Sequence, residues 1–298
     1  MNRFLDLTLA TTAHNNEQTS AAMLRSFDSN LGTVEEVVIV DDGSRSPYNA
    51  PLLQSPVRVI RNEKAEGFCG ASDIALRAVR TKYALLVDAD VLFEPGDFAG
   101  GYAAFQEGRW AWMNFRQTNF QGIPQAGYEQ PMMPPWVFAA GNQMLKLWEK
   151  SQRAPQLSSG GRIIEVEAAH SSCTLVDMEA FHAIDGFDRW YWQCQSDIDL
   201  SLRLREAGRR VGVDLGYSVK HEGAGGKSGG TARVLDLYRS RVHLYEHFYP
   251  ASRFYLRPLL FVRHLFELAW FAMVALFKNE PRLQTRIEML KGVLKGYR

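Results

Sequence analysis

Leu85-Leu86-Val87-Asp88-Ala89-Asp90-Val91 joins an apolar run to two carboxylates one residue apart. The apolar part fits a strand buried on both faces, and the carboxylates fall where an open α/β sheet places its ligands. If strand geometry persists to Asp90, both side chains share one side. They can then hold a hard divalent cation through oxygen atoms while the cation grips a phosphate. The competing reading is a loop whose aspartates only cap the next element.

Working outward from this stretch, a βαβ rhythm holds from Phe4 to Asp90. Phe4 to Thr11 reads as a strand, and Thr12 to Glu17 as a polar turn opening a helix that runs to about Leu31 before Gly32. Val37-Val38-Ile39-Val40 is a short β-branched run, as in a central parallel strand, and it too ends in acids, Asp41-Asp42-Gly43-Ser44. Val57 to Ile60 reads as a further strand, Gly67-Phe68-Cys69-Gly70-Ala71 as a glycine-rich turn, and Ser72 to Arg80 as a helix leading to the strand Tyr83 to Val87. Gly67 and Gly70 would allow backbone to approach a phosphate or ribose, or would simply make a tight turn. The first turn has no glycine, which argues against a nicotinamide-dependent dehydrogenase.

The 298 residues, 46% hydrophobic and 22% charged, can bury a large core and are not those of a disordered chain. A formal net charge of +1 gives no global reason to expect a nucleic-acid partner. Cys69, Cys173 and Cys194 are odd in number and lack metal-site spacing, so reduced thiols in a cytoplasmic protein are expected. Asp6 interrupts the N-terminal apolar stretch, which reads as a strand and not as a signal peptide.

After Trp110 to Phe115 comes the proline-bearing stretch Gln130 to Trp136, then a helix expected from about Phe138 to Glu149. Met132, Met133, Trp136 and Trp148 either line a ligand groove by stacking or serve as packing. Ile163 to Ala168 and Cys173 to Val176 read as strands, Ser196 as the cap of a helix carrying Asp197 and Asp199 in its first turn, and Val211 to Val213 as a last strand. Acids there also suit the helix dipole. Five glycines between 223 and 230, beside His221 and Lys227, suggest a lid able to close over a diphosphate. Gly226-Lys227-Ser228 lacks the spacing of an ATPase P-loop.

Asp41-Asp42-Gly43-Ser44, the Gly67 to Ala71 turn, Asp88-Ala89-Asp90, and the stretch from Asp185-Gly186-Phe187-Asp188 through Asp197 to Gly208 resemble, in order and spacing, the inverting family 2 glycosyltransferases of GT-A fold. The resemblance covers roughly residues 4–222. It implies a mostly parallel, Rossmann-like central sheet flanked by helices, with a C-terminal helical extension. Residues 1–230 would form the catalytic domain, 1–115 being its nucleotide-sugar half and 116–230 its acceptor half, and 231–298 the extension. It further implies that Asp41 with Asp42 contacts the base, and that Asp88 and Asp90 hold ribose and a Mn²⁺ or Mg²⁺ ion. His221 would complete the metal site or be a structural histidine. Asp197 would remove the acceptor proton, with Asp199 beside it as the second acid. With Gly67 of the glycine-rich turn and Lys227 of the expected lid, the candidate donor contacts are Asp41, Asp42, Gly67, Asp88 and Lys227. The chain departs from the family at Ala13-His14-Asn15, Ser72-Asp73 and Ser196.

The implied partners are a nucleoside-diphosphate sugar and a glycan or lipid-linked acceptor. A nucleotidyltransferase, or a non-catalytic glycan-binding scaffold that keeps the fold, are the alternatives. The last segment reads as helical, with Leu265 to Phe277 almost entirely apolar apart from Glu267 and preceded by Arg257, Arg263 and His264. It is expected to lie on the cytoplasmic membrane surface or against a second subunit, without spanning.

Overall fold

The structure, a computed structural model, describes residues 2–125, 127–129, 132–141, 144, 147–148, 161–221, 230–277, 280 and 282–295. It divides into two compact units, Met1–Pro131 with Gly160–Gly225, and Met132–Ser159 with Gly226–Arg298.

The first unit is built on a ten-stranded sheet whose main path runs β3-β2-β1-β4-β11-β6-β12-β5. β1 (Asn2–Ala13), β2 (Gly32–Asp41), β3 (Val57–Arg61) and β4 (Tyr83–Val87) are mutually parallel. β6 (Trp110–Thr118) and β12 (Arg210–His221) are also parallel to each other, while β11 (Cys173–Asp177) enters antiparallel between β4 and β6. β5 (Val91–Leu92) and β9 (Ile163–Glu165) pair with β12, and β7 (Pro124–Gln125) with β6. From β1 the chain steps to β2 and β3 on one side and later to β4 on the other. The carboxyl ends of β1 and β4 therefore form the kind of crevice in which α/β sheets bind ligands. The five residues of β4 are all buried, as their uninterrupted apolar run predicts.

Helices α1 (Glu17–Asn30), α2 (Gly67–Arg77) and α3 (Phe98–Glu107) cover the sheet. Phe4, Phe27, Phe98, Tyr102 and Phe115 interlock in its core, many edge to face. The expected glycine turn is in fact the first turn of α2. Gly67 sits there at φ +74°, and a Cβ on it would come within 2.6 Å of Trp192, so only glycine fits. The expected strand from Ile163 to Ala168 is also broken. Its end, β10 (Ala168–Ala169), leaves the main sheet and pairs with β8 (Tyr128–Glu129).

The second unit contains α4 (Pro135–Ala140) and the long helices α7 (Thr231–Phe248), α8 (Ser252–Ala275) and α9 (Arg282–Leu294); α5 (Met178–Ala183) and α6 (Ser196–Glu206) belong to the first. α4 starts on Pro135, whose missing N–H costs nothing in a first turn, and closes at Gly141 with φ +97°. The Tyr245 hydroxyl donates to Met133 O at 2.8 Å and Arg263 Nη1 to Phe138 O at 2.9 Å, tying this stretch to α7 and α8. Met132 and Met133 are buried, whereas Trp136 is half exposed.

α8 carries apolar residues on its outward face as well as on its buried one. Ser252, Leu256, Leu260 and His264 form its buried stripe, while Leu259, Val262, Phe266, Trp270 and Met273 face outward. Arg263 turns inward to Glu267 at 3.0 Å, Arg286 joins Glu267 at 2.9 Å, and Arg257 pairs with Glu246 at 2.5 Å. Arg257 and Arg263 are thus each paired with a carboxylate of their own chain. By length and composition alone, α8 is long and apolar enough to cross a membrane.

Candidate active site

Two acidic turns lie at the carboxyl edge of the sheet. In the first, Asp41 is wholly buried at the end of β2. Ser44 N–H donates to Oδ1 and Tyr48 N–H to Oδ2, each at 3.0 Å, and the Arg61 guanidinium closes on Oδ2. Burial alone would raise this carboxyl, but the donors from Ser44 and Tyr48, with Arg61, outweigh it and hold it below the usual range. Asp42 is nearly as buried and accepts from Asn62 Nδ2 and Glu66 N–H at 2.8 Å and from Gly67 N–H at 3.0 Å. The Asp42 carboxylate therefore fixes the start of α2.

In the second turn the strand ends at Val87, and residues 88–90 bend so that Val91 N–H reaches Asp88 O at 3.2 Å. The pairing of His221 with Val91 brings the end of β12 to this bend. His221 Nε2 lies 3.3 Å from Asp90 Oδ1 and 3.8 Å from Asp88 Oδ2. One donor atom from each of Asp88, Asp90 and His221 falls within 4.8 Å of the others. Asp88 Oδ1 is buried with no hydrogen-bond partner among the described residues. Burial pushes the Asp88 carboxyl up to about 7; His221 opposes this, and the charges of Asp90 and Asp197 add to it. Burial lowers the His221 imidazole, but the Asp90 hydrogen bond and both carboxylates reverse this and leave it raised. Two carboxylates, one with an orphan oxygen, and one imidazole fit a divalent cation of the Mn²⁺ or Mg²⁺ kind.

The third element is α6. Ser196 is its first residue and not its cap; Gln195 takes the cap position in a left-handed conformation, φ +70°, with no capping side-chain bond. Asp197 Oδ2 accepts from Ser171 N–H at 3.2 Å and Oδ1 from Ile198 N–H at 2.9 Å. Its charge reaches Asp88. Asp199 points the other way, into protein, with Arg203 Nε at 2.7 Å and the Tyr191 hydroxyl at 3.4 Å. Lys227 and the glycine-rich loop lie outside the described residues.

Sequence reasoning passed over Ser171, Ser172 and Gln117. Ser172 O accepts from Asp88 N–H at 2.8 Å, so consecutive serines hold the second acidic turn and Asp197. Only the antiparallel entry of β11 beside β4 puts them there, and no local pattern announces it.

A mostly parallel sheet with helices on its faces and acidic turns along its carboxyl edge is the GT-A architecture. The model of glycosyl transferase family 2 matches residues 8–159, and the chain belongs to that family. No curated protein matches it in sequence. Among solved structures, GalNAc-T7 with UDP, GalNAc and Mn²⁺ superposes with a TM-score of 0.62 at 17% identity, over 85% of this chain and 50% of that one. The chain thus spans half the length of that protein. Mannosyltransferase PcManGT from Pyrobaculum calidifontis, in complex with GDP-Man and Mn²⁺, gives 0.56 at 15% identity, over 99% of this chain and 87% of that one. S. aureus TarS 1-349 in complex with UDP gives 0.51 at 13%, over 99% and 93%. At such identities the likeness is one of fold.

Proposed function

We propose that the protein is a metal-dependent, inverting glycosyltransferase that moves a hexose from a nucleoside-diphosphate sugar to a hydroxyl of a glycan or lipid-linked saccharide. The observation that carries this reading is the Asp88, Asp90 and His221 trio with Asp197 in electrostatic reach, on the edge that also holds Asp42 and Gly67. Asp197 takes the proton of the acceptor hydroxyl, whose oxygen attacks the anomeric carbon from the face opposite the diphosphate, and the bond to the diphosphate breaks. When bound, Mn²⁺ or Mg²⁺ held by Asp88, Asp90 and His221 neutralises charge on the departing diphosphate. Asp41 and Asp42 shape the nucleotide edge, their oxygens already committed to Ser44, Tyr48 and Arg61 and to Asn62, Glu66 and Gly67. Asp199 anchors the helix that presents Asp197.

Calorimetry with a panel of nucleoside diphosphates, with Mn²⁺ or with EDTA, tests the donor side. Equal affinity in both overturns the metal reading. Product analysis separates the rivals: a glycosyltransferase releases nucleoside diphosphate, a nucleotidyltransferase releases pyrophosphate, and a scaffold binds without turnover.

We further propose that α8 seats the protein on a membrane surface through its apolar outward face, and that the binding is hydrophobic because the nearby arginines are committed within the chain. Flotation should then succeed with neutral as well as anionic vesicles and survive high salt. Failure to float, together with elution as a dimer, would make this face a subunit interface.

A further inference from the structure

Behind the acidic trio, a buried amide completes a closed ring of contacts. Gln117, near the end of β6, is 3% exposed. Its Nε2 donates to Ser172 Oγ, which directs its carbonyl oxygen to His221 Nδ1 at 3.0 Å. Ser172 O in turn accepts from Asp88 N–H, and His221 Nε2 closes back on Asp90 and Asp88. The register explains why Gln117 fills this role: it lies opposite Val219 in the parallel β6–β12 pair, which leaves His221 just beyond it.

An imidazole binds a cation through a nitrogen that carries no proton, and the partner of the other nitrogen decides which one that is. An amide oxygen at Nδ1 keeps a proton there, so Nε2, which faces Asp90 and Asp88, is the nitrogen available to a cation. We infer that Gln117 is the positioning residue of this site, holding His221 in the Nδ1–H tautomer so that Nε2 is presented to a divalent cation. The role rests on the metal reading proposed above. Gln117 itself touches neither cation nor substrate. Its amide is held by Ser172, whose carbonyl also holds the Asp88 backbone, so one residue pair sets both the imidazole and the acidic bend.

Three proteins test this: wild type, Gln117→Leu, which keeps the volume without an acceptor, and Gln117→Glu, which restores an acceptor at Nδ1. Titration with Mn²⁺ alone should show affinity falling by about 10–100-fold in Gln117→Leu, as for other outer-shell partners of metal-bound histidine, and recovering in Gln117→Glu. In protein loaded with diamagnetic Zn²⁺, the His221 Nδ1–H should give a slowly exchanging proton resonance in wild type that is lost in Gln117→Leu. Unchanged Mn²⁺ affinity in Gln117→Leu, or an equal loss in Gln117→Glu, overturns the role. If Gln117→Leu does not fold, a missing Nδ1–H resonance in Zn²⁺-loaded wild type overturns it alone. Wild type that binds no Mn²⁺ removes the metal site itself, a result distinct from both.

Discussion

The turns at Asp41-Asp42 and at Asp88-Ala89-Asp90 look alike in sequence, each a pair of acids closing an apolar strand, yet their hydrogen bonding is opposite. Around Asp41, backbone N–H groups and Arg61 satisfy the carboxylate, which is held below its usual range. Around Asp88, an oxygen is buried without a donor, further acids stand nearby, and the carboxyl is pushed up to about 7. The acids of the first turn build the edge, whereas Asp88 keeps a buried oxygen with no donor among the described residues. The same contrast recurs within α6, where Asp199 is held by Arg203 and Tyr191, while the hydrogen bonds to Asp197 among the described residues come from the backbone N–H groups of Ser171 and Ile198.

The largest test of this contrast is at α6. Asp197→Asn should keep donor affinity and lower kcat by roughly 10²–10⁴-fold, the usual contribution of a general base. Asp199→Asn should act through stability instead, lowering Tm while turnover per folded molecule stays near wild type. If the second substitution abolishes transfer and the first does not, the roles are reversed.

At the strand ends the two turns should respond with opposite sign. Asp41→Asn sets an amide against the Tyr48 N–H or Arg61 and should cost about 1–3 kcal/mol of stability, read from chemical unfolding. Asp88→Asn relieves a partly buried carboxylate beside Asp90 and should raise the Tm of the metal-free protein at neutral pH while weakening Mn²⁺ binding by more than about tenfold. Loss of stability in both variants would erase the distinction.

The smallest effect is in acid. Because the folded Asp41 carboxyl lies below its unfolded value, its contribution is fully present above about pH 4 and is lost as pH falls through the folded value. Acid unfolding should therefore be less steep in Asp41→Asn than in wild type. Parallel curves would mean that Asp41 adds nothing ionic.

Much of the fold was legible in the sequence. A short β-branched or aliphatic run such as Val37 to Val40 or Tyr83 to Val87, bounded by turn residues, reads as a central strand, and the acids at its end mark the edge. Saturation was not legible, because the donors to Asp41 come from Ser44, Tyr48 and Arg61, one of which lies on the next strand over. Nor was the role of Gln117, since it sits among other polar residues at the end of β6, Asn114, Arg116 and Thr118, and its partners arrive through an antiparallel insertion and a parallel crossover. The inward turn of Arg263 was hidden for a related reason. Its charge is visible in sequence, but Glu267, Arg286 and Phe138 O decide which way it faces.

The ring through Asp88, Ser172, Gln117 and His221 has a kinetic consequence. His221 is 104 residues from Gln117 in the chain, and Gln117 is 55 from Ser172, so no local segment can preassemble the site. Chains dominated by such distant pairings close them late, after the loop entropy has been overcome. During refolding, capacity to bind a divalent ion should appear after helical signal and after burial of the β1–β4 core. Metal uptake would then work as a clock for the final docking of β11 and β12, and chains stalled before that step would carry most of their secondary structure with no site at all.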